Sequence, residues 1–179
     1  ARIIKTILRL EFPDREAALD SLAFANLLDH LRGEKRNRER QRYFVQLKKY
    51  TRYNPGGRTV LLVDDSLYVH YSTAPILIEQ GFRIVDFAFN GLEGLNLYHV
   101  YAPDLVVMDI TMPVKSGIET AREIYARFPE AKILFISALG EYKPILTNMS
   151  KLFAGRNYRL LTKPIRRQTL IDAIDVLFD

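Results

Sequence analysis

Five polar side chains, each set just after a short apolar run, could together handle a phosphoryl group: Asp64, Asp65, Asp109, Ser137 and Lys163. Three carboxylates packed together repel one another unless something neutralises them. A hard divalent cation with oxygen ligands does so, and Mg²⁺ suits the role because it keeps waters and accepts a phosphate oxygen as a further ligand. Lys163 supplies a positive charge and Ser137 a hydroxyl donor, both suited to the oxygens of a transferring phosphoryl group. On this reading Asp109 is the phosphoryl acceptor, since positioning and charge neutralisation are most of what phosphoryl transfer needs. Taken singly, each residue is better explained as an ordinary turn acid or a surface lysine. The inference rests on separate positions, each closing the correct strand.

Particular elements must bring them together. Asp104-Leu-Val-Val-Met-Asp-Ile-Thr-Met-Pro113 reads as a buried strand ending at Asp109, with Pro113 and Gly117 breaking the chain beyond it. Thr59 to Val63, Phe82 to Phe87, Lys132 to Ser137 and Tyr158 to Thr162 read as four more strands. Helices are expected after Ser66 to about Gln80, from Gly91 to about Tyr101, from about Ile118 to Phe128, and from about Arg167 to Phe178. Pro75 inside the first predicts a kink or a late start. Strands alternating with helices imply an α/β fold, a five-stranded parallel doubly wound sheet of flavodoxin-like order 2-1-3-4-5. Strands one, three and four are then neighbours and five lies beside four, so the polar groups converge at the C-terminal edge of the sheet.

Composition narrows the classes. The 179 residues, 48% hydrophobic with ten Phe and ten Tyr, describe a folded chain with a real core. The absence of cysteine excludes thiol catalysis, disulfides and Cys-ligated zinc, and accords with a reducing cytosol. No apolar run approaches the roughly 18 residues of a membrane span and no signal peptide pattern opens the chain, so no membrane contact and a cytoplasmic location are expected. The chain opens on Ala, as a processed protein or a piece of a longer one would. His30, His70 and His99 show no ligand spacing and read as structural or exposed.

Charge divides the chain. Residues 1–57 hold 13 of the 26 Lys/Arg but only 7 of the 21 Asp/Glu, leaving 13 and 14 for residues 58–179. Asn54-Pro55-Gly56-Gly57 looks like a turn or linker at the join. The first unit is expected to be mainly helical, with one helix from Asp14 to Gly33 and a second from Glu34 to about Thr51. Its apolar stripe is too large for one helix pair, which calls for docking or for a homodimer through residues 1–57. The run Glu34-Lys-Arg-Asn-Arg-Glu-Arg-Gln-Arg42 invites a nucleic-acid reading, but a solvated helix face with Glu34 and Glu39 among the arginines is favoured.

Residues 58–179 resemble the CheY-like receiver domain of two-component response regulators. Asp64-Asp65-Ser66 resembles the family's acidic pair after strand one, and Asp109-Ile-Thr-Met-Pro113-Val-Lys-Ser-Gly117 its Asp-x-x-Met-Pro-x-x-x-Gly. Ser137-Ala138 and Thr162-Lys163-Pro164 resemble the motifs after strands four and five. The resemblance implies a signalling protein and not an enzyme, in which Asp109 takes a phosphoryl group from a sensor histidine kinase or phosphotransfer protein. It implies that Asp65, Asp109 and the backbone carbonyl of Thr111 bind Mg²⁺, with Asp64 acting directly or through water. Ser137 and Lys163 would hold the phosphoryl oxygens, with Ala138 leaving room for them, and the Lys163–Pro164 bond would be cis. Phosphorylation would then pull Ser137 inward and shift the face read by a downstream protein.

Two features depart from the family. Leu160 stands where an aromatic switch residue is usual, with Tyr158 two residues back on the same strand face. The span from Ser137 to Lys163 is also longer than usual, the excess lying between residues 138 and 158, so the signalling face is expected to be remodelled. Competing readings are a transcription regulator whose basic N-terminal helices bind DNA, and the C-terminal receiver of a larger hybrid kinase. A Mg²⁺-dependent phosphatase using Asp109 is disfavoured, because Thr111 stands where such chemistry wants a second acid.

Overall fold

A computed structural model describes residues 56–138 and 143–179, with side chains from residue 148 onward in the second span. The helices expected between residues 14 and 51, and every role expected of residues 1–55, lie outside the described residues. The strands are β1 (Thr59–Val63), β2 (Arg83–Ala88), β3 (Leu105–Asp109), β4 (Lys132–Ser137) and β5 (Asn157–Thr162). They form one parallel sheet in the order β2-β1-β3-β4-β5, as the alternation of strands and helices implied. The helices are α1 (Leu67–Glu79), α2 (Gly91–Tyr101), α3 (Gly117–Arg127), α4 (Lys143–Leu152) and α5 (Arg167–Phe178).

The period-two alternation of the strands feeds two cores. Val60, Leu62, Leu105, Val107, Leu134 and Ile136 face α1 and α5, where Ala74, Leu77, Leu170 and Ile174 meet them. Leu61, Val63, Val106, Met108, Ile133 and Phe135 face the other way, onto Leu95 of α2, Ile124 and Tyr125 of α3, and Met149 of α4. Strands buried on both faces read as unbroken apolar runs, which is why β1, β3 and β4 were plain in the sequence.

Strand β2 breaks the parity. Ile84 and Phe87 lie three apart yet share a core, because the pairing jumps from Val60↔Ile84 to Leu61↔Asp86 and leaves Val85 as a bulge. The neighbouring Asp86 carboxylate accepts the Phe87 backbone N–H at 2.9 Å. On the opposite edge, the Arg159 guanidinium donates to the Tyr158 carbonyl at 2.9 Å.

One expectation is narrowed and one gap is filled. Of the kink or late start expected from Pro75, the late start does not occur: α1 begins at Leu67 and carries the proline in its interior. Burial of Val69, His70, Thr73, Ala74 and Leu77 beneath the sheet outweighs the one helical hydrogen bond that proline removes. The long segment between β4 and β5, which the sequence left unassigned, contains α4. Its Met149, and Phe153 just beyond its end, are both 1% exposed and anchor it to the core. Phe153 meets the rings of Tyr125, Phe135 and Tyr158 at 5.4 to 5.7 Å.

The fully buried Leu62 on the central β1 should be costly to truncate. Leu62→Ala is expected to lower unfolding free energy by about 2–5 kcal/mol. Val100→Ala, at a site 72% exposed, should change it by less than about 0.5 kcal/mol. Urea denaturation of the two variants tests the contrast, and equal losses would contradict this placement of the core.

Candidate functional site

The C-terminal ends of β1, β3 and β4 carry the acids and the serine, and the residue after β5 carries the lysine. Asp109 closes β3 and is 5% exposed; Asp64 follows β1 and is 2% exposed. Burying two carboxylates is expensive unless they are paired. Lys163 Nζ lies between them, 2.9 Å from Asp64 Oδ2 and 3.2 Å from Asp109 Oδ1. Its own backbone N–H donates to the Ser137 carbonyl at 3.0 Å, extending the β4–β5 ladder one step so that the side chain turns over the edge. The Lys163–Pro164 peptide bond is cis.

Asp64 is held from several sides. Its N–H donates to the Ala88 carbonyl at 3.0 Å, and its Oδ1 accepts the Ser66 N–H at 2.8 Å in a local turn that leads into α1. Asp65 is exposed, yet one carboxylate oxygen from each of Asp64, Asp65 and Asp109 lies within 4.8 Å of the others. Ser137 is 1% exposed at the end of β4. Thr111 and Ala138 are exposed, Thr111 in the loop after β3 and Ala138 directly after β4, at the same edge. The structure thus gathers Asp64, Asp65, Asp109 and Lys163 by measured distance, and sets Ser137, Ala138 and Thr111 on the loops and strand ends around them.

The charges do not balance among themselves. Burial pushes the Asp64 carboxyl up to about 6; Lys163 opposes this and Asp109 adds to it. Asp109 is raised by the same burial, lowered by Lys163 and raised again by Asp65. For Lys163 burial works against the charge, but attraction to Asp64 and Asp109 wins and lifts its pKa above the ordinary lysine value. One ammonium among three acids therefore leaves negative charge over, on an all-oxygen donor set that a hard divalent cation fits.

The loop between β3 and α3 is braced against the acceptor strand. Gly117 donates its N–H to the Ile110 carbonyl at 2.9 Å, and a β-carbon built on Gly117 would lie 2.0 Å from the Asp109 carbonyl oxygen. Ser116 then starts α3 with a capping box shared with Glu119. Within the loop Val114 has φ 68°, a left-handed conformation that a β-branched residue rarely adopts.

Sequence reasoning overlooked one contact. His70, placed only as structural or exposed, is fully buried in α1 with Nε2 2.8 Å from the Asp64 backbone carbonyl oxygen. The signal was its position in the first turn of the helix that follows the acidic pair, which turns it back toward the strand end. His99 is hydrogen-bonded through Nδ1 to the Leu95 carbonyl, 2.9 Å away on the same helix.

Two outcomes test this geometry. Gly117→Ala must displace the Asp109 backbone and should cost about 1–3 kcal/mol or more in urea denaturation. It should weaken Mg²⁺ binding as well. The native protein holds the Asp64 proton up to about pH 6, whereas the unfolded carboxyl releases it near 3.8. The native state therefore binds more protons in that window, and this group's contribution to stability falls as pH rises through it. In chelator, Asp64→Asn should flatten the decline, so the wild-type-minus-variant difference in unfolding free energy becomes less favourable from pH 4 to 6. A difference that grows with pH would contradict the burial argument.

Comparison with known proteins identifies the family of this fold. Residues 60–175 match the family model for the response regulator receiver domain. The chain is 39% identical over 122 residues to the chemotaxis protein CheY of Halobacterium salinarum, covering 68% of this chain and 98% of that one. It is 38% identical over 117 residues to CheY of Treponema pallidum, covering 64% of this chain and 78% of the relative. Among solved structures, the CheX-CheY-BeF3-Mg+2 complex of Borrelia burgdorferi aligns with TM-score 0.62 and 29% identity over 68% of this chain and 90% of that one. Among the described residues no helix is long and apolar enough to cross a membrane. The chain belongs to the response regulator receiver domain family, and through that domain it is a two-component response regulator.

Proposed function

We propose that Asp109 accepts a phosphoryl group from the phosphohistidine of a sensor kinase or phosphotransfer protein, and that the modified domain signals through a protein contact. The observation that carries this reading is Lys163 Nζ placed between two buried carboxylates, with a third acid within 4.8 Å. Asp65, Asp109 and the Thr111 carbonyl would hold Mg²⁺, with Asp64 joining directly or through water. Bound there, Mg²⁺ would neutralise the acids and take one phosphoryl oxygen as a ligand.

In the transfer an Asp109 carboxylate oxygen forms a bond to phosphorus as the P–N bond breaks, and that electron pair returns to the departing imidazole. Lys163, kept protonated by Asp64 and Asp109, donates to the incoming phosphoryl oxygens. Ser137 offers its hydroxyl from the adjoining strand, and Ala138 leaves room beside it. Residues 58–179 form the receiver in this reading. The basic residues 1–57, which precede the family match, form a separate extension suited to dimerisation or to the output partner.

The test uses acetyl phosphate as a small donor. The full chain with Mg²⁺ should gain the intact mass of one phosphoryl group, Asp109→Asn should gain none, and a chelator should abolish the gain in the wild type. Labelling of Asp109→Asn at the wild-type rate would place the acceptor elsewhere.

A further inference from the structure

The geometry points to His70 as a positioning residue that aims the metal-binding acids through the backbone, an inference that rests on reading those acids as a Mg²⁺ site. A carbonyl oxygen only accepts, so the 2.8 Å contact to Asp64 requires the proton on His70 Nε2. That bond fixes the carbonyl of the Asp64–Asp65 peptide. Because a peptide unit is planar, pinning its oxygen also sets the Asp65 N–Cα bond, and with it the direction in which the Asp65 side chain leaves the strand end. Asp65 is exposed, so its aim depends on the backbone that carries it. On the other side of Asp64, its N–H is tied to Ala88 in β2. The acidic pair is thus gripped by β2 before it and by α1 after it.

The imidazole is itself held in place. His70 has no exposure to solvent, and the rings of Phe87 and Phe89 each meet it edge-on with centroids 5.2 Å away. Two aromatic walls from the end of β2 and the helix it sits on leave the ring little freedom to turn. A leucine would fill the space but leave a buried carbonyl without its donor. Glutamine would present an amide N–H at nearly the same reach. Groups that orient metal ligands without touching the metal commonly carry a 10- to 100-fold share of affinity.

The test is calorimetric titration of Mg²⁺ into the full chain, well below its unfolding temperature, for wild type, His70→Leu and His70→Gln. His70→Leu should bind about tenfold more weakly, and His70→Gln should return to within about threefold of wild type. A role limited to packing would lower the melting temperature of both variants in chelator and leave the Mg²⁺ affinity unchanged. Equal affinity in wild type and a folded His70→Leu therefore overturns the inference. A wild type that binds no Mg²⁺ overturns the reading of the acids themselves, and the inference with it. Should His70→Leu not fold, heteronuclear spectra of the wild-type histidine rings decide. The Nε2–H form, with a resonance that moves as Mg²⁺ is added, is expected; an Nδ1–H form, or a ring indifferent to Mg²⁺, overturns the proposal.

Discussion

The site turns on a single ammonium shared by two buried carboxylates. Neither acid could remain ionised at the end of a nearly dry sheet without a cation, and Lys163 reaches both. The topology follows from that need. Asp64 and Asp109 come from strands paired side by side, and Lys163 must arrive from two strands further on, past Ser137. With β1, β3, β4 and β5 as successive neighbours, one lysine side chain closes the gap. Burial raises the Asp64 carboxyl, Lys163 opposes that rise, and the neighbouring Asp109 adds to it, so the lysine offsets the cost only in part.

Most of this was legible in the residues. Strands sealed on both faces appear as apolar runs, and a polar residue that ends such a run must sit at a rim. Four such rims on one side of a parallel sheet, at the ends of β1, β3, β4 and β5, then mark a site from the residues alone. The less legible parts share a cause, since each depends on packing across distance. Helix α4 depends on Met149 and the ring cluster around Phe153, and neither a proline near its start nor its short stripe announces that support. The bulge at Val85 changes which face Phe87 serves, something composition cannot encode. His70 looked inert because its partner is a backbone carbonyl, and backbone atoms leave no mark on a sequence.

Rigidity is distributed unevenly around the acceptor. Below it, Gly117 allows the loop backbone to press on Asp109, and the capping box of α3 begins at once. Beside it, Val114 holds an unfavourable backbone conformation on an exposed turn. Strain of that kind survives only where the surroundings over-determine it. The hydrogen bonds from Gly117 to Ile110 and from Gly91 to Lys115 provide that constraint, tying the loop to the strand and to α2.

The two margins of the sheet have a bearing on assembly. Among the described residues β2 and β5 are the outer strands of the five-stranded sheet, and an outer strand is an invitation to any extended segment of another molecule. Here the invitation is withdrawn twice, by opposite means. On β2 a carboxylate consumes a donor beside a bulge that spoils the register; on β5 a guanidinium consumes an acceptor. Continuing the sheet from one molecule into the next is thus discouraged at both ends. The helices and loops, rather than the sheet margins, are then the surfaces left open to partners and copies.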